Sequence, residues 1–193
     1  PQPLEDGKVT VSRVHGSASY PCKFMLVAAM NPCKCGYLGH PTRECTCTPS
    51  AIAQYRRRIS GPLLDRVDLH VEALPGEYAD LAAAQGGESS AAVRARVIAA
   101  RTVQRERYRA LPGVRCNAQL PGSALRRFCP MTPAAEHILR GAFERLGYSA
   151  RAYDRILRVA RTVADLDGSE VLDAAHLSEA LQYRSLDRKF SLS

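Results

Sequence analysis

Four cysteines fall close together in the stretch NPCKCGYLGHPTRECTCTPS, as two Cys-x-Cys pairs, Cys33 with Cys35 and Cys45 with Cys47. Thiolates are soft ligands, and four of them can close a tetrahedral shell around Zn2+ with no position left for water, so such a site is structural rather than catalytic. Gly36, Gly39 and Pro41 lie between the pairs and suit a loop that turns back on itself. A loop this short and polar has no core of its own, and a bound metal would supply its folding energy. Three alternatives stay open at this point: His40 replacing one thiolate, two disulfides, or four free thiols. Disulfides would need an oxidising compartment, and free buried thiols fit poorly with the polar surroundings. The chain has 7 cysteines in all, and Cys22, Cys116 and Cys129 read as buried spectators.

The elements around the cysteines follow from pattern. KVTVSR, residues 8 to 13, alternates polar with β-branched residues; HGSASYP then breaks the run and KFMLVAAM reads as a second strand, apolar on both faces, giving a hairpin over 8–29. The cysteine insertion occupies 32–48. PSAIAQYRRRI is expected to form a short helix capped by Ser50, SGPLLDRV a turn with one helical turn, and VDLHVEAL another strand. After Pro75 the composition shifts to alanine-rich helices: a linker over 76–88, then helices over 89–110, 121–128, 132–146, 149–166 and 173–183. Val93, Val97, Ala100 and Tyr108 share one face of the first, with Arg94, Arg101 and Arg105 on another; Ile156, Val159, Ala160 and Val163 form a stripe on the fourth. The expected fold is a partial α/β sheet carrying the hairpin and the cysteine insertion, over 1–75, followed by an all-α lid over 89–193.

Composition narrows the function classes. The chain of 193 residues is 46% hydrophobic and 24% charged, enough to bury an ordinary core, and no apolar run is long enough to cross a bilayer. A cytoplasmic location is expected from the missing signal pattern. The formal charge of +8 favours polyanionic partners, nucleic acid or nucleotide phosphates, although arginine-rich helix faces often bind nothing acidic. No GxxxxGK[ST] phosphate loop is present, and the sequence opens on PQPLED without methionine, so a longer parent is expected.

Three phrases, AAMNPCKCGY, RISGPLLDRVDLHVE and GYSARAYDRILRVARTVADL, occur in this order and together resemble the YifB/ComM family of magnesium-chelatase-like AAA+ ATPases. The resemblance covers nearly the whole chain and implies the C-terminal part of an ATPase module, with Walker A and Walker B upstream. It places the sensor-1 side chain at Asn31, the arginine finger at Arg66 and sensor 2 at Arg151. Each role has a physical rationale. A carboxamide accepts from water while donating to a phosphate oxygen, without adding charge. A guanidinium from a neighbouring subunit stabilises charge on a transferring phosphoryl group, worth on the order of 10³ to 10⁵ in rate. An arginine in the first turn of a helix reports nucleotide state to the lid. Plain structural readings stand beside these: Asn31 as a turn residue before Pro32, Arg66 paired with Asp65 or Asp68, and Arg151, Arg155 and Arg158 as one solvated basic face.

The resemblance further implies ATP and Mg2+ as cofactors, assembly into a ring, expected to be a hexamer, and DNA as substrate in helicase or branch-migration work during natural transformation. Arg13 and His15 near the hairpin tip would then face DNA phosphates. The chain alone is expected to be inactive. Two other readings remain: a chelatase-type subunit that drives metal insertion into a porphyrin, and a non-catalytic module that binds zinc and nucleic acid. The chelatase subunit passes from the sensor-1 strand to LLDR without a four-cysteine insertion, which counts against the former.

Overall fold

The computed structural model describes residues 4, 6–14, 16–59, 61–73, 87–184 and 186. They form two compact units, the first reaching Val67 and the second beginning at Asp68. A small antiparallel sheet comes first and helices follow. The linker expected at 76–88 lies almost wholly outside the described residues.

In the first unit, β1 (Lys8–Arg13) pairs with β2 (Gly16–Pro21), in a register running from Lys8 opposite Pro21 to Arg13 opposite Gly16. The expected hairpin is therefore present with a different second strand. GSASYP, read as a break, is β2, and KFMLVAAM runs without regular structure, with Met25 87% and Val27 85% exposed. An apolar strand is held by partners on its edges and layers on its faces, and no described strand pairs with this segment. VDLHVEAL differs in the same way: its described part, through Ala73, is not a strand, and Leu69 and Val71 are exposed. Helix α1 (Pro49–Arg56) is capped by Thr48 rather than Ser50; the Thr48 hydroxyl accepts from Ala51 N–H at 3.3 Å, and Pro49 takes the first turn, where no donor is needed. Helix α2 (Gly61–Leu64) follows.

The second unit contains α3 (Ser90–Arg107), a 3-10 turn at Asn117–Gln119, α4 (Gly122–Phe128), α5 (Pro133–Leu146), α6 (Ala150–Leu166) and α7 (Ala174–Gln182). Its helix ends are written into the sequence. Ser89, Thr132 and Ser149 each accept from the backbone N–H three residues on, and Asp173 forms a reciprocal capping box with His176. Gly147 ends α5 in the left-handed region at φ 62°, which a side chain would disfavour. Helix α6 is central: Ala152, Ile156, Leu157, Ala160 and Ala164 are buried with Leu125, Leu139, Leu172 and Leu177 from its neighbours. Its alanines let the facing helices approach closely. On α3 the expected apolar face is only half realised, since Val93 and Val97 are exposed and burial is confined to Ala100 and Gln104, with Tyr108 just beyond.

A polar hub lies inside this core. The buried carboxylate of Asp165 accepts from Arg107 through both Nη atoms, at 2.5 and 3.0 Å, from Arg161 Nε at 3.1 Å, from Gln104 Nε2 at 3.1 Å and from Asn117 Nδ2 at 2.8 Å. Arg161 also donates to the carbonyls of Ser169 and Glu170, tying the turn after α6 back onto the helix. Tyr108 donates to Asn117 Oδ1 at 2.7 Å. Helices α3 and α6 and the 3-10 turn thus share one carboxylate, which faces two guanidiniums.

Candidate functional site

The cysteine loop is built from two tight turns: Gly36 N–H donates to Cys33 O at 3.2 Å, and His40 N–H to Tyr37 O at 3.0 Å. Gly36 and Gly39 sit at φ 84° and 81°, where a Cβ is disfavoured. These turns bring the two pairs together. All four sulfurs lie within 4.8 Å of one another, with Cys33 to Cys35 at 3.4 Å, Cys33 to Cys45 at 3.7 Å and Cys35 to Cys45 at 3.6 Å. A tetrahedron with Zn–S bonds of about 2.3 Å has edges of about 3.8 Å. A disulfide would need about 2.05 Å, so the spacing fits four ligands of one ion and not two bridges.

His40 has another task. Its Nδ1 accepts from Arg43 N–H at 3.1 Å and Thr42 N–H at 3.2 Å, capping the turn into the second pair, and the ring is not part of the sulfur cluster. Tyr37 packs edge-on against His40, and Arg43 donates to the Tyr37 hydroxyl at 2.8 Å.

The electrostatics of the loop point to a cation. The Tyr37 N–H holds the Cys35 thiol down to about 5, and Cys33 is lowered as well. Cys45 is pushed up to about 12 although the Cys47 N–H works against this, because burial and the neighbouring sulfurs of Cys35 and Cys33 oppose a further negative charge; Cys47 is raised too. Four thiolates at this spacing repel one another unless a positive ion sits among them, and an ion there deprotonates its thiol ligands. The donor set and its geometry therefore fit Zn2+. Of the other cysteines, Cys129 is buried, whereas Cys22 and Cys116 are only partly so, correcting the expectation that all three are core residues.

The remaining candidate residues are placed as follows. Asn31 immediately precedes the loop, and a Cβ built on Gly36 would stand 3.9 Å from its carboxamide. Arg66 is half-buried in the turn after α2, its N–H donating to Leu63 O at 3.0 Å. Arg151 is exposed in the first turn of α6, one residue after Ala150. Arg155 and Arg158 do not join it as one solvated face. Arg155 pairs with Asp68, and Arg158 donates to Leu120 O at 2.8 Å and lies 3.4 Å from Asp154. Arg13 ends β1 and is exposed; His15 lies outside the described residues. Pattern reading missed the Asp165 hub and the Asp68 to Arg155 pair. The i, i+4 spacing of Arg161 and Asp165 was the only local signal for the hub; the second pair spans too much sequence to leave one.

Residues 1–81 match the family profile of magnesium chelatase subunit ChlI, and residues 87–184 match the C-terminal profile of the same subunit. This chain belongs to the magnesium-chelatase-like YifB/ComM family. Among its relatives are the uncharacterized protein YifB of Escherichia coli, 42% identical over 189 residues, and the competence protein ComM of Haemophilus influenzae, 41% identical over 191. The uncharacterized protein Rv2897c of Mycobacterium tuberculosis is 41% identical over 182 residues. These alignments cover 97%, 97% and 94% of this chain but only 36%, 36% and 35% of the relatives, so the chain spans about a third of the length of the family members it matches. No helix among the described residues is long and apolar enough to cross a membrane.

Proposed function

We propose that this chain contributes the sensor and finger residues of an ATP- and Mg2+-dependent, ring-forming motor that acts on DNA. The observation that carries the reading is the ordered match of both halves to one ATPase subunit family, with Arg151 exposed at the N-terminus of α6. Backbone N–H groups at a helix start favour an anion, and a guanidinium in the first turn adds to that preference. In this reading Arg151 binds the γ-phosphate of the nucleotide held by its own subunit. Arg66 is offered to the nucleotide of the neighbouring subunit, and Asn31 orients the attacking water. Zn2+ bound by Cys33, Cys35, Cys45 and Cys47 supplies structural charge balance and holds the loop that begins beside Asn31. DNA as substrate is supported by the net charge of +8 and by the kinship with a competence protein. Arg13, at the end of β1, and His15 are then assigned to phosphate contacts.

The test is steady-state ATP hydrolysis by the intact protein, with and without DNA. DNA-stimulated turnover is expected, with Arg66→Ala lowering kcat on the order of 10³-fold while nucleotide binding persists. Turnover indifferent to DNA would favour the chelatase-type reading that the family description raises, and full activity in Arg66→Ala would remove the finger role.

A further inference from the structure

Asp68 and Arg155 are separated by most of the helical unit in sequence and joined in space. The Arg155 Nη1 donates to Asp68 Oδ1, with the Arg155 side chain only 17% exposed and that of Asp68 54%. Two residues further on, the same stretch is fixed again: His70 N–H donates to Tyr183 O at the C-terminus of α7, at 2.7 Å, and His70 is buried. The stretch from Asp68 to His70 is thus clamped by a side chain to α6 and by backbone to the end of α7. Arg66 precedes it with only Val67 between, so the Cα of Arg66 stays within about 7 Å of that of Asp68. On α6, Arg155 stands one turn beyond Arg151, on the same side of the helix.

We infer that Arg155 is a positioning residue. Through Asp68 it ties the segment bearing Arg66 to the helix whose first turn carries Arg151, so that displacement of α6 is transmitted to Arg66. This rests on the roles proposed above for those two arginines. It gives the pair a specific function: the nucleotide state of one subunit, sensed at Arg151, sets the placement of the guanidinium presented to the next. The Asp68 to Arg155 pair is then the link between sites on adjacent subunits, and a reciprocal coupling between them is required thermodynamically. Two features favour this over direct nucleotide contact by Arg155. Its guanidinium is already committed to a carboxylate and mostly withdrawn from solvent, and Asp68 has no counterpart role in phosphate binding, since a carboxylate beside phosphates would repel them.

The test uses the intact ATPase with three variants: Asp68→Asn, Arg155→Gln, and the exchange Asp68→Arg with Arg155→Asp. Each single variant is expected to lower kcat about 3- to 30-fold and to bring the Hill coefficient for ATP towards 1, with KM and the affinity for a non-hydrolysable ATP analogue changed less than about twofold. The exchange restores both kcat and cooperativity towards wild type. A melting temperature within a few degrees of wild type shows that the singles fold. Should either single variant destabilise the protein, the comparison of the exchange with the singles still decides, because only a direct pair is rescued by reversing its charges. Weakened analogue binding in Arg155→Gln that Asp68→Asn does not share would overturn the inference and make Arg155 a nucleotide ligand. Unchanged kcat and Hill coefficient in both singles, alongside a severe loss in Arg66→Ala, would sink the tether alone. Full activity in Arg66→Ala would instead remove the reading beneath it.

Discussion

The cysteine loop and the Asp165 hub both gather polar atoms out of water, yet they balance charge in opposite ways. The hub contains its own counter-charges: one carboxylate is met by Arg107 and Arg161 and by the amides of Gln104 and Asn117. The loop gathers four sulfurs that, as thiolates, would all carry one sign. The first is therefore balanced from within the chain, whereas the second, as four thiolates, would need an ion to complete it. Apolar packing follows the same division, since the hub is built on α6, the helix at the centre of the apolar core, while the loop is flanked by the exposed segment 23–30.

Metal removal should separate the two regions most strongly, because structural zinc contributes about 10–16 kcal/mol of apparent binding energy in small domains. Protein purified without added metal or chelator is expected to carry close to one zinc per chain by elemental analysis. After stripping, or in Cys35→Ser, amide exchange should accelerate across 33–47 and stay unchanged in α6. Acceleration in both regions would mean that the hub is not self-sufficient.

Next in size is Asp165→Ala. It strands the buried guanidinium of Arg161 and the partly buried one of Arg107, which costs about 3–5 kcal/mol, and it should lower the urea midpoint of the helical unit while zinc content is unaffected. Asp165→Asn keeps the shape but loses the charge, and should fall between the two. Equal stability of all three would show that the guanidiniums find other partners.

The smallest effect lies at the helix ends. Ser149→Ala removes the hydroxyl that accepts from Ala152 N–H at 3.2 Å and should cost about 1 kcal/mol, read from the same urea curve. The Asp68 to Arg155 pair belongs at this end of the scale for stability, since a half-exposed ion pair contributes at most about 1 kcal/mol. Its proposed effect on coupling between subunits is thus distinguishable from an effect on folding.

Legibility in the sequence tracked how local the cause was. The helices of the second unit could be placed because their caps, stops and apolar periods act within one or two turns: Ser149 and Asp173 begin α6 and α7, and Gly147 ends α5. The thiolate cluster could be named because the glycines and the proline that fold it back lie within the loop itself. Ser50 was displaced as a cap by Thr48 because proline is accommodated at the first helical position, which moves the start two residues earlier. KFMLVAAM is not a strand because an apolar run becomes one only where a neighbouring strand pairs with it, and no described strand does so.

By itself, then, the sequence determined the helical periodicities of the second unit, the four cysteines as candidate metal ligands and the family to which the chain belongs, since these depend on residue type and spacing along the chain. Only the tertiary structure decided that His40 caps a turn instead of binding metal, that Asp165 is shared by three elements, and that Arg155 answers to Asp68 while Arg151 stays exposed. Those outcomes turn on which groups meet across long stretches of chain, and the energy of a charge depends on the partner and the burial that folding gives it.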